Sequence, residues 1–343
     1  MRILLVSHEY SMSGAAIMLL DLATILQEAG HQVSISAMNP MDGPMRTEFL
    51  QRGVVEVHPI EVSEVDLVIV NTLPAAPAVI ALAAQVRTIW WIHESEVGLE
   101  LLFKTPEWLP AFDLAHRIVF PSQRMRDHAY RSFHYKRRPE NVLVIANGMR
   151  MDKPVAEVEA KSRPWRIACV GTVHTVKRQG DLVQAIDLLG RDDIELVMAG
   201  IHVTLQEPGE TIAAADPGRY RLLGQRPHEE TLGWMASADI VAQPSQGESH
   251  SLALGEAARL GKPMVLSDLP VFTEQGWRHG HNCLMQPVGN IAMLAANIAF
   301  LLDHEDERLR LAKGAARMRT GYRFENFANR FLELIASVKP GLA

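Results

Sequence analysis

Short apolar runs alternate with amphipathic stretches along nearly the whole chain. Residues 2–7 read as a buried strand. Residues 16–29 carry helical spacing through Leu19, Leu22, Ala23 and Leu26 and stop at Gly30, and residues 33–37 are strand again. Further strands are predicted at 65–70, 88–92, 117–120 and 142–145, with helices at 75–84 and 123–131. The alternation lapses over 150–164, which is polar, holds Pro154 and Pro164 and reads as a linker. It resumes with strands at 165–170, 194–199, 220–223, 240–242, 263–266 and 283–286. Helices are predicted at 181–189, 228–236, 291–302, 305–321 and 324–338, with one more around Glu256. Strands alternating with helices imply parallel sheets covered on both faces. The chain is therefore expected to be α/β, with two doubly wound, Rossmann-like domains facing across a cleft. In such sheets the residues just past the strand C-termini face the ligand. In the first half these are His8, Asn71, His93, Ser122 and Asn147.

A length of 343 residues suits two domains, and a net charge of −6 gives no general reason to expect a nucleic-acid partner. The two cysteines, Cys169 and Cys283, fit no metal spacing and point to a reduced compartment. The apolar stretches 74–86 and 291–302 are too short to span a bilayer, and the opening apolar run is a strand and not an export signal. A cytoplasmic location is expected. One segment departs from the acidic average. Residues 116–139 carry Arg117, Arg124, Arg126, Arg131, Lys136, Arg137 and Arg138 against Asp127 alone among the aspartates, with Tyr130, Phe133 and Tyr135 between them. It is either a solvated basic face or a surface for an anionic membrane or a phosphorylated acceptor.

The densest chemistry lies in 239–268. A strand breaks at Pro244, passes through a small polar loop, and becomes a helix carrying Glu256. A helix N-terminus seats phosphate because its first N–H groups are unpaired and partly positive. Here those groups belong to the region of His250, Ser251 and Leu252. Two acids, Glu248 and Glu256, bracket the seat, an arrangement that suits a ligand carrying hydroxyls beside its phosphate. By spacing alone they are better explained as solvent-facing acids, and it is the polar loop and open helix start between them that favour a site. Lys177, in the loop after strand 165–170, is a point cation suited to a departing diphosphate, and Gly171 lets backbone come close to a ligand. That loop lacks the G-x-G-x-x-G spacing of dinucleotide binding, and no Walker-type motif occurs. Gly14 and its small neighbours open the first helix. His93 closes a strand but has no metal-ligand spacing, and the acid cluster 303–307 reads as the start of a helix.

Taken in order, SHEYSMSGAA, WWIHE, VFPSQRMRD, VIANGMRMD, ACVGTVHTVKRQGDLVQAI, RLLGQRPHEETLGWMASADIVAQPS and GESHSLALGEAARLGKPMVLSD resemble the retaining glycosyltransferases of family 4, across nearly the whole length. The resemblance implies the GT-B fold. It implies an N-terminal acceptor-binding domain over 1–161, a C-terminal donor-binding domain over 162–322, and a last helix, 323–343, crossing back to the first domain. It implies transfer of a hexose from a UDP- or GDP-sugar to an acceptor hydroxyl with retention, without a metal or cofactor. Glu256 would hold the donor ribose, and Glu248 would face the transferred sugar. The amides of His250, Ser251 and Leu252 would hold the diphosphate beside Lys177. Gly14 would border the diphosphate, His93 would contact the sugar, and the backbone near Gln225 and Arg226 would meet the base.

Two departures bear on the donor. Ser249-His250-Ser251 replaces the family's Gly-aromatic-Gly, and Thr172 stands where an arginine is common, leaving Arg178 as the second cation. The acceptor is not decodable from sequence. A nucleotide-sugar epimerase and a non-catalytic nucleotide-sugar-binding protein are the alternatives; an oxidoreductase is disfavoured by the glycine spacing.

Overall fold

The computed structural model describes residues 1–39, 41–201 and 216–338. The chain forms two compact units, Met1–Gly148 with Phe324–Ala343, and Met149–Arg323.

The first unit is built on seven strands: β1 (Arg2–Ser7), β2 (Gln32–Ala37), β3 (Val55–Glu56), β4 (Leu67–Asn71), β5 (Thr88–Trp91), β6 (Arg117–Phe120) and β7 (Val142–Val144). Their order is β3-β2-β1-β4-β5-β6-β7 with every pairing parallel. The order reverses between β1 and β4, so the loops leaving those two strands diverge there, and a doubly wound sheet binds ligands at that point. Strands β1, β4 and β5 are almost wholly apolar because both faces are covered. Helix α1 (Gly14–Glu28) starts at Ser13, whose hydroxyl accepts from the Ala16 amide at 3.3 Å. The helix expected over 123–131 is formed over 123–129 with its last five residues, Met125–Ala129, in π-helical form, and after Tyr130 a single turn follows, Arg131–His134. The Ser122 hydroxyl accepts from the Met125 amide, and the buried rings of Phe120 and Tyr130 lie 5.3 Å apart.

The second unit repeats the plan with β8 (Trp165–Val170), β9 (Ile194–Ala199), β10 (Tyr220–Gly224), β11 (Ile240–Gln243), β12 (Met264–Ser267) and β13 (Leu284–Gln286). The order is β10-β9-β8-β11-β12-β13, again parallel, with its reversal between β8 and β11. Its helices include α2 (Gln179–Leu188), α3 (His228–Ser237) and α4 (Leu252–Arg259). Cys169 and Cys283 are buried in its cores and reduced, and burial pushes both thiols up to about 12, so they are inert packing residues.

The stretch 150–164 is irregular, yet it is held against the second unit. The Ala156 amide donates to the Glu229 carbonyl at 3.1 Å. Arg166, wholly buried, pairs with Glu195 at 2.7 Å and also donates to the Glu159 and Ala160 carbonyls. At the other end, α5 (Phe324–Ser337) belongs to the first unit, where Phe327 and Phe331 lie 5.6 and 4.6 Å from the Trp91 ring.

Candidate functional site

In the second unit the two loops at the point of reversal are stitched together. The loop after β8 runs from Gly171 to Arg178, and the loop after β11 from Pro244 to Ser251. The Gln246 amide donates to the Val176 carbonyl at 2.8 Å. Lys177 Nζ meets Glu248 Oε1 at 2.6 Å. That oxygen accepts twice more, from Ser245 Oγ at 2.8 Å and Gln243 Nε2 at 3.0 Å. Glu248 is only 6% exposed, so a charge there needs these donors. Among the described residues no partner is recorded for Oε2 of Glu248, and Lys177 has two further N–H donors.

Helix α4 begins at once. Its N-cap, Ser251, makes no side-chain capping bond, so the hydroxyl does not consume the first-turn N–H groups. One turn on, Glu256 Oε1 meets His228 Nε2 at 2.6 Å. His250 is 8% exposed with its ring 5.0 Å from Tyr322, and Nδ1 has no partner among the described residues. Burial lowers its pKa to about 4, so the imidazole is neutral near pH 7.

Gly171 sits at φ +140°, a conformation that favours glycine, and Gly200 lies against it. A Cβ on Gly200 would stand 2.0 Å from the Gly171 carbonyl oxygen. Thr172 lies just beyond, its carbonyl accepting from Gln179 at 3.1 Å. Arg178, the expected second cation, is held by Asp181 at 2.6 Å, with Gln246 at 3.4 Å. Gln225 and Arg226 are exposed at the end of β10. Lys177, Glu248, Ser249, His250, Ser251 and Leu252 thus share one edge of the sheet, with Glu256 in the helix that follows.

The first unit carries a second polar constellation at its own reversal. His93 Nε2 meets Asn71 Oδ1 at 2.9 Å, and Asn71 Nδ2 donates to the Ala15 carbonyl at 3.2 Å. The Asn71 amide thereby presents oxygen to the ring, which places the imidazole proton on Nε2 and leaves Nδ1 as an acceptor. Burial lowers the His93 pKa to about 3. Gly14 faces open space at the start of α1. Thr72 is β-branched at φ +81°, a strained conformation held by His8 at 2.9 Å and by the Trp90 indole at 2.8 Å. Glu94 Oε2 accepts from the amides of Leu73 at 2.7 Å and His93 at 3.2 Å, and burial raises its pKa to about 7.

The sequence pattern does not single out Gln243, Ser245, His228, Thr72 or Glu94. Two polar residues flanking Pro244 at the end of an apolar strand were the available signal for the first pair. At least three of the seven cations of the basic segment are engaged within the unit. Arg137 donates to the carbonyls of Phe112, Asp113, Ala115 and His116, while Arg126 pairs with Asp127 and Arg124 with Glu96. A cavity of about 630 Å³ lies beside it, lined in part by Glu96, Arg124, His128 and Arg131. Among the described residues no helix is long and apolar enough to cross a membrane, and no group of three or more His, Cys, Asp or Glu is placed to hold a metal.

Two family models match the chain, "Glycosyl-transferase family 4" over residues 1–144 and "Glycosyl transferases group 1" over 164–304. The chain belongs to the family 4, group 1 glycosyltransferases and has their GT-B fold. It is 27% identical over 205 residues to a D-inositol 3-phosphate glycosyltransferase of Corynebacterium efficiens, 53% of this chain and 47% of that one. It is 29% identical over 166 residues to the protein of that name from Corynebacterium diphtheriae, 42% of this chain and 39% of the relative. The matched part thus spans about half, or less, of these curated relatives. Among solved structures, Anabaena Alr3699/HepE in complex with UDP-glucose superposes with a TM-score of 0.82 at 18% identity, covering 98% of this chain and 100% of the other. Sucrose-phosphate synthase from Thermosynechococcus elongatus gives 0.76 at 16% identity over 98% of each chain. These likenesses are of fold.

Proposed function

We propose that the protein transfers a hexose from a nucleoside diphosphate sugar to an acceptor hydroxyl with retention, in the synthesis of a glycan or glycoconjugate. The observation that carries this reading is the Lys177–Glu248 pair at the sheet reversal, directly before a helix whose N-terminus its N-cap side chain leaves open. A diphosphate on the first-turn amides of α4 lies beside the remaining N–H donors of Lys177. As the bond between the anomeric carbon and the phosphate oxygen breaks, its electron pair passes to the diphosphate. The acceptor oxygen bonds to the anomeric carbon, and its proton leaves with the phosphate. Lys177 stabilises the charge that grows on the diphosphate, an effect typically worth about 10²–10³ in rate for one well-placed donor. Glu248, fixed through one oxygen, offers the other to sugar hydroxyls, and Glu256 takes the ribose. His93, neutral and holding its proton on Nε2, offers Nδ1 to a sugar hydroxyl. The charge role is assigned to Lys177, so the scheme uses no metal.

A structural neighbour described as a complex with UDP-glucose favours UDP over GDP as the donor nucleotide. A thermal-shift panel of UDP, GDP and their sugars tests the reading, since a ligand that binds only the folded state raises the melting temperature. A shift with one nucleotide family and its hexose conjugates is expected. No shift with any member contradicts the reading. Binding without transfer to water or to any polyol, inositol phosphates included, would leave a binding protein in place of an enzyme.

A further inference from the structure

We propose that His228 is a positioning residue that fixes the Glu256 carboxylate for the ribose hydroxyls of the bound nucleotide. The inference rests on the donor-site reading above. His228 is the first residue of α3, set there by Pro227, whose extended backbone turns the chain out of β10 into the helix and whose carbonyl accepts from the Thr231 amide at 3.0 Å. That position aims Nε2 at Glu256 Oε1 over 2.6 Å. The Glu256 backbone is committed to its helix, the carbonyl accepting from the Leu260 amide at 3.0 Å. Among the described residues its Oε2 has no recorded partner.

The pair is a poor stability device. The His228 side chain is 35% exposed and that of Glu256 13%, and ion pairs of this kind contribute only about 0–1 kcal/mol. Its consequence is directional. A glutamate side chain has several rotamers, and one short hydrogen bond to a ring on a neighbouring helix selects one of them. With Oε1 anchored, Oε2 presents its lone pairs in a fixed direction, and Oε1 keeps one more. A vicinal diol fits that edge, because each hydroxyl donates one hydrogen bond to a carboxylate oxygen. The base and the diphosphate are read elsewhere, so this contact is blind to which base the nucleotide carries.

The test is calorimetric binding of UDP, GDP and their 2′,3′-dideoxy counterparts to wild type, His228→Ala and His228→Gln. Wild type is expected to prefer the ribo form of whichever nucleotide it binds. His228→Ala should weaken the ribonucleotide about tenfold, the scale of one charge-assisted bond, and leave the dideoxy form within about twofold. His228→Gln, which keeps an N–H donor at similar reach, should recover most of the loss. Equal weakening of ribo and dideoxy forms would mark His228 as merely structural, and unchanged binding would remove it from the site; either overturns the proposal while the donor site stands. Wild type that binds the ribo and dideoxy forms alike overturns it too. Wild type that binds neither UDP nor GDP takes down the donor-site reading itself, and the proposal with it.

Discussion

Glu248 owes its standing to three donors converging on one of its oxygens, and not to its distance in sequence from Glu256. Ser245→Ala removes one donor and is expected to lower kcat/KM for the donor sugar about tenfold, the worth of one hydrogen bond to a charged group. Steady-state rates on the folded variant check this, and a rate within twofold of wild type would contradict it. Glu94 and His93 give a pH signature. The fold raises the Glu94 carboxyl from 4.5 to about 7, so its contribution to stability is full below the unfolded value and is lost as pH rises through 7. The fold depresses His93 from 6.5 to about 3, so that term is full above pH 6.5 and is lost as pH falls. The two oppose each other between 4.5 and 6.5. Glu94→Gln leaves only the histidine term. The stability advantage of wild type over this variant, read from urea midpoints, should therefore shrink from pH 5 to pH 8. An advantage constant with pH would contradict the raised carboxyl.

Lys177, Glu248 and Glu256 were legible in the sequence only because a whole series of motifs stood in order. His228 was not, because its contact with Glu256 joins residues 28 apart on two helices, and neither helix announces the crossing. Glu94 had no signal at all, since its altered acidity comes from burial that only the folded chain creates.

Loops and helices account for how these groups are held. The strands and the order of βα units were readable from apolar runs, because a parallel sheet buries both faces of each strand. The helix expected at 123–131 stops at Ala129 and is π-helical over Met125–Ala129, a widening that no side-chain period encodes. The stretch 150–164 looks like a free linker by composition, yet Arg166 and Gly233 hold it; a Cβ on Gly233 would stand 2.3 Å from the Ala156 carbonyl oxygen. The tightest crossing lies behind the lysine loop. Gly200→Ala adds a Cβ 2.0 Å from the Gly171 carbonyl oxygen at φ +155°. It is expected to cost at least about 1–3 kcal/mol and to displace the loop carrying Lys177. A fall in melting temperature together with weaker nucleotide binding would bear this out, and an unchanged melting temperature would contradict it.

For the molecule as a whole, the chain is not divided at a single point. Residues that end the sequence complete the first unit, with Phe327 and Phe331 against Trp91. Phe331 is fully buried, and Phe331→Ala should destabilise the protein by about 3–5 kcal/mol. Trp91 fluorescence should report that loss first, and denaturation that begins with the second unit's Trp277 in place of Trp91 would contradict the assignment. Two sheets of the same handed order, each with polar residues at its reversal, make the family membership intelligible. The second carries the cation and two carboxylates, and the first carries a neutral histidine and a carboxyl poised near neutrality. The most direct test of the account is release of UDP from UDP-glucose, with water as the acceptor, by wild type, Lys177→Ala and Glu248→Gln, each shown to be folded. Wild type should release UDP slowly but measurably, and both variants should fall by about 10²–10³. Variants that match wild type would show that the Lys177–Glu248 pair is not the catalytic site.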